Sequence, residues 1–297
     1  MNRRIAILGA TSHIAKGLIY NFCKDRTNKL YLFARSDDRV KDFLISINCG
    51  AVSKVEPLAE FGKDQYDVII NCVGIGDPAL LKDARASIFE LTEAYDNLIL
   101  NYLKNSKKSI YINFSSGAVY YANVNALDEA CFYSIAKLNS EAKHRSSQGL
   151  KIIDLRVFAY FSRFIDLKSR YLITGIINSI RNKKVFKTGK NNIVRDYIGP
   201  EDLFSLVRCC IEKGSNGAYD VYSRKPVRKL DLLKSFHKEF GLEYKISGAR
   251  ILDSVTGAKE IYCSKNRKAQ ELGFKPKYDS LKLLIKETEA ILGKRRG

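Results

Sequence analysis

The sequence lacks long apolar runs, and this absence excludes a membrane-spanning helix. Such a helix needs roughly 20 consecutive apolar residues, and no run in these 297 residues approaches that length. The N-terminal stretch MNRRIAILGATSH contains two arginines, but its apolar run is too short for a secretory signal peptide. Internal repeats are also missing, which excludes a solenoid. We expect a soluble, cytoplasmic protein with no membrane partner.

Histidine is scarce, and the cysteines have no recognisable spacing. None of the three histidines, His13, His144 and His237, has a metal-ligand neighbour in the sequence, so we expect no metal site. The cysteines form no CxxC pair and no disulfide framework, a pattern typical of buried thiols in a reducing compartment. These residues are Cys23, Cys49, Cys72, Cys131, Cys209, Cys210 and Cys263.

Acidic residues are outnumbered: 51 Lys and Arg residues stand against 32 Asp and Glu residues, a formal net charge of +19. Such a charge attracts polyanions, including nucleic acid, acidic membranes and phosphorylated ligands. It also fits a lysine-rich surface whose excess charge is spread over many helices. The basic residues are dispersed, with only short clusters such as SRKPVRK, and this favours the second interpretation. We expect no nucleic-acid partner.

The first half of the chain alternates short β-rich runs with helical segments, which is typical of a parallel sheet covered by helices. Several strands are apolar on both faces, as buried parallel strands are. We predict an α/β fold with a Rossmann-type doubly wound parallel sheet. The predicted strands are RRIAILGA, KLYLFA, YDVIINCVG, SIYINFSS and KIIDLRVFA, and the predicted helices cover residues 14–25, Pro78 to Lys104, and YSIAKLNSEAKHRS.

After about residue 160 the pattern changes to a smaller α+β lobe, which we expect to cover the carboxyl ends of the strands. We predict helices near 169–183 and 201–212, and a strand, GAYDVYS, that rejoins the main sheet. The predicted domains are a dinucleotide-binding domain, residues 1–160 plus about 199–222, and a substrate-binding lobe, about 161–198 plus 223–297.

The stretch IAILGATSHIAKG, residues 5–17, has the form of a strand that turns directly into a helix. Free backbone N–H groups at a helix N-terminus bind a pyrophosphate well. Gly9 permits the tight turn, whereas Ser12 and Ala15 stand where phosphate-binding turns usually have glycine. Taken alone, the stretch is equally compatible with an apolar strand that ends in Gly9.

The second strand ends in Ala34 and Arg35, where a carboxylate would bind the ribose 2′-hydroxyl of NAD. Arg35 can form a charge-assisted contact with the 2′-phosphate of NADP. A solvated loop arginine is the alternative, and the position of Arg35 favours the NADP contact.

YSIAK places Tyr133 and Lys137 on one face of a helix. A nearby ammonium group lowers the pKa of a phenol from about 10 and prepares it for proton transfer. Ser116 ends the strand before this helix and can donate to a substrate carbonyl, although strand-end packing is an alternative role, and the more natural one for Ser115. The same YxxxK spacing recurs at residues 20–24 and 278–282.

Seven segments occur in the order typical of one family: GATSHIA, NCVG, FSSGAVY, YSIAK, LRVFAYF, VRDYIGPEDL and LGFKPKYDSLKLLI. The whole chain resembles an extended short-chain dehydrogenase/reductase, the family of nucleotide-sugar epimerases, dehydratases and ketoreductases. The resemblance implies a homodimer, formed through helices in DPALLKDARASIFELTEAYDNLILNYL, although the apolar positions of that segment can all belong to the core.

The resemblance also implies roles for individual residues. Ser116, Tyr133 and Lys137 take the positions of the catalytic triad, and Arg195 would grip the diphosphate of the substrate, with Asp202 nearby at a helix start. Ser116 and Arg195 would therefore contact the substrate. The implied cofactor contacts are Gly9, Thr11, Ser12, His13, Ile14, Arg35, Cys72, Val73, Tyr133 and Lys137.

Three departures from the family pattern leave the substrate open. The family usually shows GxxGxxG, and two of those glycines are replaced here. Ala159 stands where an asparagine often touches the substrate, and the segment between FSSGAVY and YSIAK is shorter than usual.

These features predict an NADPH-dependent reductase of a nucleoside-diphosphate keto-sugar, with a 4-keto-6-deoxyhexose as first candidate. Tyr133 would supply the proton. The alternative is a redox-neutral nucleotide-sugar epimerase with tightly bound NAD. Gly117 and Ala118 follow Ser116 where a dehydratase carries an Asp–Glu pair, which disfavours dehydration. A third hypothesis is a nucleic-acid-binding or regulatory member of the family.

Overall fold

The protein is built on a seven-stranded parallel sheet with the strand order β11-β6-β5-β4-β1-β2-β3. All six strand pairs of this sheet are parallel, which confirms the predicted Rossmann-type α/β fold. The strands are β1 (Arg4–Leu8), β2 (Lys29–Ala34), β3 (Ser53–Pro57), β4 (Val68–Asn71), β5 (Ile110–Ser116), β6 (Lys151–Val157) and β11 (Gly217–Val221). The computed structural model describes residues 3–25, 27–49, 53–75, 84, 87–125, 129–214, 216–248 and 259–293.

The order of strands changes side between β1 and β4: β2 and β3 lie on one side of β1, and β4 and the strands that follow lie on the other. Open α/β sheets bind ligands in the crevice at such a switch point. Helices accompany the strands, and their ends carry the expected signals: Pro200 opens α6, and Gly214, with φ +41°, follows its last residue. The helices are α1 (His13–Phe22), α2 (Asp37–Ser46), α3 (Ser87–Asn105), α4 (Glu129–Ser146), α5 (Leu172–Arg181), α6 (Pro200–Lys213), α7 (Lys229–Phe240) and α8 (Ser280–Leu292).

The C-terminal part adds three small sheets. The pair β10–β7, the three-stranded sheet β12-β9-β14 and the pair β13–β8 are formed by short strands. They are β7 (Ala159–Tyr160), β8 (Phe186–Gly189), β9 (Val194–Arg195), β10 (Tyr197–Ile198), β12 (Val227–Arg228), β13 (Tyr244–Ser247) and β14 (Ile261–Tyr262).

Three apolar clusters support these two regions. Two cover the opposite faces of the parallel sheet, one with Ile7 and the other with Leu8. The third lies between α5, α7 and α8 and includes Phe236. The predicted domain boundaries stay a prediction, and Phe274 of the predicted substrate-binding lobe packs in a cluster of the parallel sheet. Part of the helix predicted from Pro78 lies outside the described residues.

Cys23 and Cys49 form a disulfide, with Cα atoms 5.7 Å apart. The prediction that all cysteines are free thiols is therefore wrong for this pair. Cys23 caps the C-terminal end of α1 and Cys49 follows α2, so the bond links the ends of these two helices across 26 positions of the chain. The other five cysteines form no disulfide among the described residues.

Within the described residues, none of the helices has both the length and the apolar character that a membrane span requires.

Candidate functional site

The turn after β1 requires glycine at position 9. Gly9 has φ +73°, and a Cβ there would lie 2.9 Å from both the carbonyl carbon of Cys72 and the amide nitrogen of Val73. The backbone N–H groups of Gly9 and Ala10 donate to the carbonyl of Phe33, at 2.9 and 3.1 Å. The turn is therefore held between the ends of β2 and β4.

The N-terminus of α1 presents free donors at this turn. Ser12 is the N-cap, and its Oγ accepts a hydrogen bond of 3.3 Å from the backbone N–H of Ala15. No acceptor in the described part of the chain takes the backbone N–H groups of Thr11, His13 and Ile14. Three free donors at the positive end of a helix dipole suit a diphosphate.

The side chain of His13 turns away from solvent and contacts the segment after β6. Its Nε2 lies 2.8 Å from Ser162 Oγ, and its ring packs edge-on against Tyr160 with centroids 4.7 Å apart. Burial lowers the pKa of His13 to about 3, against the opposing effect of Ser162, so the imidazole is neutral. Tyr160 was quoted in the sequence analysis only as part of LRVFAYF and was assigned no role. Gly17 makes room for it, because a Cβ at position 17 would overlap the Tyr160 hydroxyl.

Arg35 is the first residue after β2, and its side chain is exposed. Because Phe33 is bonded to the turn, Arg35 lies at the edge of the candidate diphosphate site. The described residues form no ion pair with it.

Cys72 and Val73 follow β4 directly below the turn. The backbone N–H of Cys72 donates to Leu8 at 2.9 Å, and that of Val73 donates to Asn71 Oδ1 at 3.0 Å. Burial raises the pKa of the Cys72 thiol well above its usual range, so the thiol is neutral.

Ser116, Tyr133 and Lys137 meet at the end of β5. Ser116 Oγ accepts a hydrogen bond of 3.1 Å from the backbone of Ala118 and lies 3.2 Å from Tyr262 Oη. Lys137 is buried, and its Nζ donates to the carbonyl of Phe114 at 3.0 Å and lies 6.0 Å from the ring centroid of Tyr133. The structure thus brings the three predicted catalytic residues together.

The protonation of this group differs from the prediction. Burial raises the pKa of Tyr133, and a hydrogen bond with Ser116 only partly opposes this effect. Burial also lowers the pKa of Lys137. The ammonium group of Lys137 donates its hydrogen bond to the carbonyl of Phe114 and not to the phenol. The pKa of Tyr133 is therefore not lowered as predicted.

Tyr262 is a site residue that the sequence analysis missed. Strand β14 pairs with β9 and sets Tyr262 beside Arg195 in register. The ring of Tyr262 packs against Phe158, with centroids 5.1 Å apart, and lies 6.0 Å from the guanidinium carbon of Arg195. No motif marks Tyr262, because only the pairing of two very short strands places it here.

Arg195 is buried, and its Nη1 donates to the carbonyls of Val194 and Lys259, at 2.8 and 3.1 Å. Burial lowers the pKa of Arg195. Asp202 lies in the first turn of α6, as expected, and its carboxylate accepts from the backbone N–H groups of Lys277 and Tyr278.

The remaining motif residues have structural contacts. Ser115 Oγ donates to Glu141 at 2.6 Å, as expected for a packing role. In the other YxxxK pairs, Lys24 covers the ring of Tyr20 at 3.9 Å, and Tyr278 donates to Glu201. These pairs do not belong to the group around Ser116.

Solved structures similar to this chain include three sugar-nucleotide epimerases. UDP-N-acetylglucosamine 4-epimerase from Methanobrevibacter ruminantium has a TM-score of 0.81 at 17% identity, covering 99% of each chain. UDP-glucose 4-epimerase from Thermotoga maritima has a TM-score of 0.80 at 17% identity, covering 98% of this chain and 99% of that one. A variant of UDP-glucuronic acid 4-epimerase from Bacillus cereus has a TM-score of 0.79 at 16% identity, covering 98% of this chain and 100% of that one. At these identities the likeness shows the fold.

A comparison with curated proteins finds no match. The family model described as the NAD dependent epimerase/dehydratase family matches residues 5–223, most of the chain. With the parallel sheet and the glycine turn, this match shows that the chain belongs to the NAD dependent epimerase/dehydratase family.

Proposed function

We propose that the protein is an NADPH-dependent reductase of a nucleoside-diphosphate keto-sugar, with a 4-keto-6-deoxyhexose as the first candidate. The observation that carries the choice of reduction is Arg35. It stands exposed where a carboxylate would select NAD, and it lies at the edge of the diphosphate site. Net reduction consumes NADPH, whereas an epimerase recycles its hydride and generally keeps NAD.

The residues around the turn fit a dinucleotide. The free N–H groups of Thr11, His13 and Ile14 would hold the diphosphate, and Gly9 lets the chain pass close to β4. Lys137 would hold the nicotinamide ribose. A Cβ at Gly74 would lie 3.8 Å from Lys137 Nζ, so this ammonium group borders the segment that follows β4.

NADPH, when bound, supplies the hydride for the carbonyl carbon. The side chains of this protein protonate the carbonyl oxygen of the substrate and hydrogen-bond to it. Tyr133, whose raised pKa keeps its proton at neutral pH, gives that proton to the oxygen as negative charge develops. Ser116 donates a hydrogen bond to the same oxygen, and the charge of Lys137 stabilises the phenolate that remains.

The alternative is a redox-neutral epimerase with tightly held NAD. Three similar solved structures are UDP-sugar 4-epimerases, and the Bacillus cereus protein was solved with NAD. Ser116, Tyr133 and Lys137 can serve either reaction, so cofactor preference decides between them.

The decisive experiment compares binding of NADPH and NADH to the purified protein and to Arg35→Ala. A charged hydrogen bond is worth about 1.5–3 kcal/mol, so we expect a preference for NADPH on the order of tenfold to a hundredfold. Arg35→Ala should erase this preference. Arg181→Ala, which removes an exposed arginine at the end of α5, should retain it.

Equal binding of NADH, or a protein purified with NAD already bound, would reject net reduction. Incubation with a nucleoside-diphosphate 4-keto-sugar and, separately, with the corresponding 4-hydroxy sugar nucleotide then separates the two reactions. The reductase consumes one NADPH for each keto-sugar, whereas the epimerase inverts the hydroxyl group of the 4-hydroxy sugar with no net change in its cofactor.

A further inference from the structure

The excess positive charge lies mostly in one half of the chain. Residues 161–297 hold 30 of the 51 Lys and Arg residues but 15 of the 32 Asp and Glu residues. Their formal net charge is +15, against +4 for residues 1–160. An even spread over the helices therefore does not describe this protein.

A long basic segment without acidic residues runs from the end of α5 through β8. Residues 181–190, RNKKVFKTGK, contain five basic residues and no acidic residue. The parallel pairing of β13 with β8 sets Lys245 beside Lys187, and adjacent strands lie about 4.8 Å apart. We name this surface the basic ribbon; its exposed members are Arg181, Lys183, Lys184, Lys187, Lys190 and Lys245.

Within the described parts of the chain, the charges of the basic ribbon are not paired with carboxylates. Among the described residues, no carboxylate forms an ion pair with any member. Two aliphatic residues that follow lysines of the basic ribbon in the chain are also exposed: the exposed fraction is 54% for Val185 and 44% for Ile246. A lysine-rich surface with exposed aliphatic residues matches an anionic bilayer interface, which attracts the charges and takes up the apolar groups.

We propose that the basic ribbon docks the protein on the anionic headgroups of a lipid bilayer, with Val185 and Ile246 entering the interface. Nucleic acid is the weaker fit. Proteins that bind single strands use aromatic platforms and arginine planes, whereas this ribbon has five lysines and one arginine, and its exposed apolar side chains are aliphatic.

The test is sedimentation of the full chain with vesicles of phosphatidylcholine, alone or with about one-third phosphatidylglycerol. Each basic residue near an anionic surface contributes roughly a fivefold increase in binding. We expect the anionic vesicles to bind the protein, and the quadruple variant K183Q/K184Q/K187Q/K245Q to bind at least about a hundredfold less well. Binding should weaken from about 0.1 M to about 1 M salt as the Debye length falls from about 10 Å to about 3 Å.

The control K29Q/K41Q/K104Q/K107Q removes four exposed lysines from the N-terminal part and has the same net charge. It should bind anionic vesicles as the unmodified protein does. V185S/I246S should lower the binding that persists at high salt. Equal losses in both quadruple variants, equal binding to neutral vesicles, or tighter binding to single-stranded RNA at the same phosphate concentration would each overturn the proposal.

Discussion

The surroundings of Tyr133 keep its phenol protonated rather than ionised. Its pKa is raised by burial, and the ammonium group of Lys137 is engaged with the Phe114 carbonyl. In the resting protein the phenol therefore keeps its proton at neutral pH. A buried phenol beside a buried ammonium group becomes a strong donor once negative charge develops on a neighbouring oxygen.

Tyr133→Phe removes this proton and keeps the ring. We expect kcat to fall by about 10²–10⁴, with binding of NADPH unchanged in a fluorescence titration. Tyr20→Phe is the matched control, since Tyr20 pairs with Lys24 in the same YxxxK spacing outside the site, and it should keep full activity. A fully active Tyr133→Phe enzyme would refute the proposed mechanism.

At the residue scale, motifs with a fixed place in the family order were predictable. Gly9, Ser116, Tyr133 and Lys137 are examples. Tyr262 was not, because its place depends on the pairing of β14 with β9, two strands of two residues each that are separated by some sixty-five positions. Neither periodicity nor composition carries information on such a contact.

At the element scale, one buried histidine joins α4 to the sheet and to α3. His144 is fully buried, with Nδ1 2.8 Å from Asp154 and Nε2 2.6 Å from Asp96. Tyr111 donates to Asp96, and Asn113 donates to Asp154. Burial alone would lower the pKa of His144, but the two carboxylates raise it to about 9.

This raised pKa predicts how stability depends on pH. Because the folded-state pKa lies above the ordinary value of 6.5, the contribution of His144 is fully present below about pH 6.5. It is lost as the pH rises through about 9, and its size is on the order of 3 kcal/mol. Urea unfolding at several pH values should show this loss, and NMR titration of the ring should give the pKa directly.

His237→Gln replaces an exposed histidine and should leave the pH dependence unchanged. His144→Gln should remove the dependence between pH 6.5 and 9. An NMR pKa near or below 6.5 for His144 would contradict the prediction.

Most elements of the first half were predictable from the sequence. KLYLFA matches β2 residue for residue, since an apolar run buried on both faces has clear ends. The sequence analysis placed neither α2 nor β3. β3 is an edge strand with the polar sequence SKVEP, so it lacks the apolar signal of the central strands.

At the scale of the whole molecule, the disulfide makes stability depend on the redox state of the medium. The Cys23–Cys49 bond restricts the unfolded chain, and for a separation of 26 residues the gain is about 3 kcal/mol. Addition of a reductant should lower the urea midpoint accordingly. The double variant C23S/C49S should unfold at the same midpoint with and without reductant. If the urea midpoint of the wild-type protein is the same with and without reductant, the disulfide does not form.

The closing strand of the sheet has a consequence for the order of folding. β11 pairs with β6, although residues 158–216 separate them in the chain. During synthesis, β6 is an open edge with the buried residues Ile152, Ile153 and Leu155 until Gly217–Val221 has left the ribosome. The segment made in between adds Ile176 to the core between α5, α7 and α8 and Leu206 to the core of the sheet, so the sheet can close only after parts of both cores have been synthesised. We therefore expect folding to be slow by topology, and we expect the newly made chain to be prone to aggregation while this edge is open.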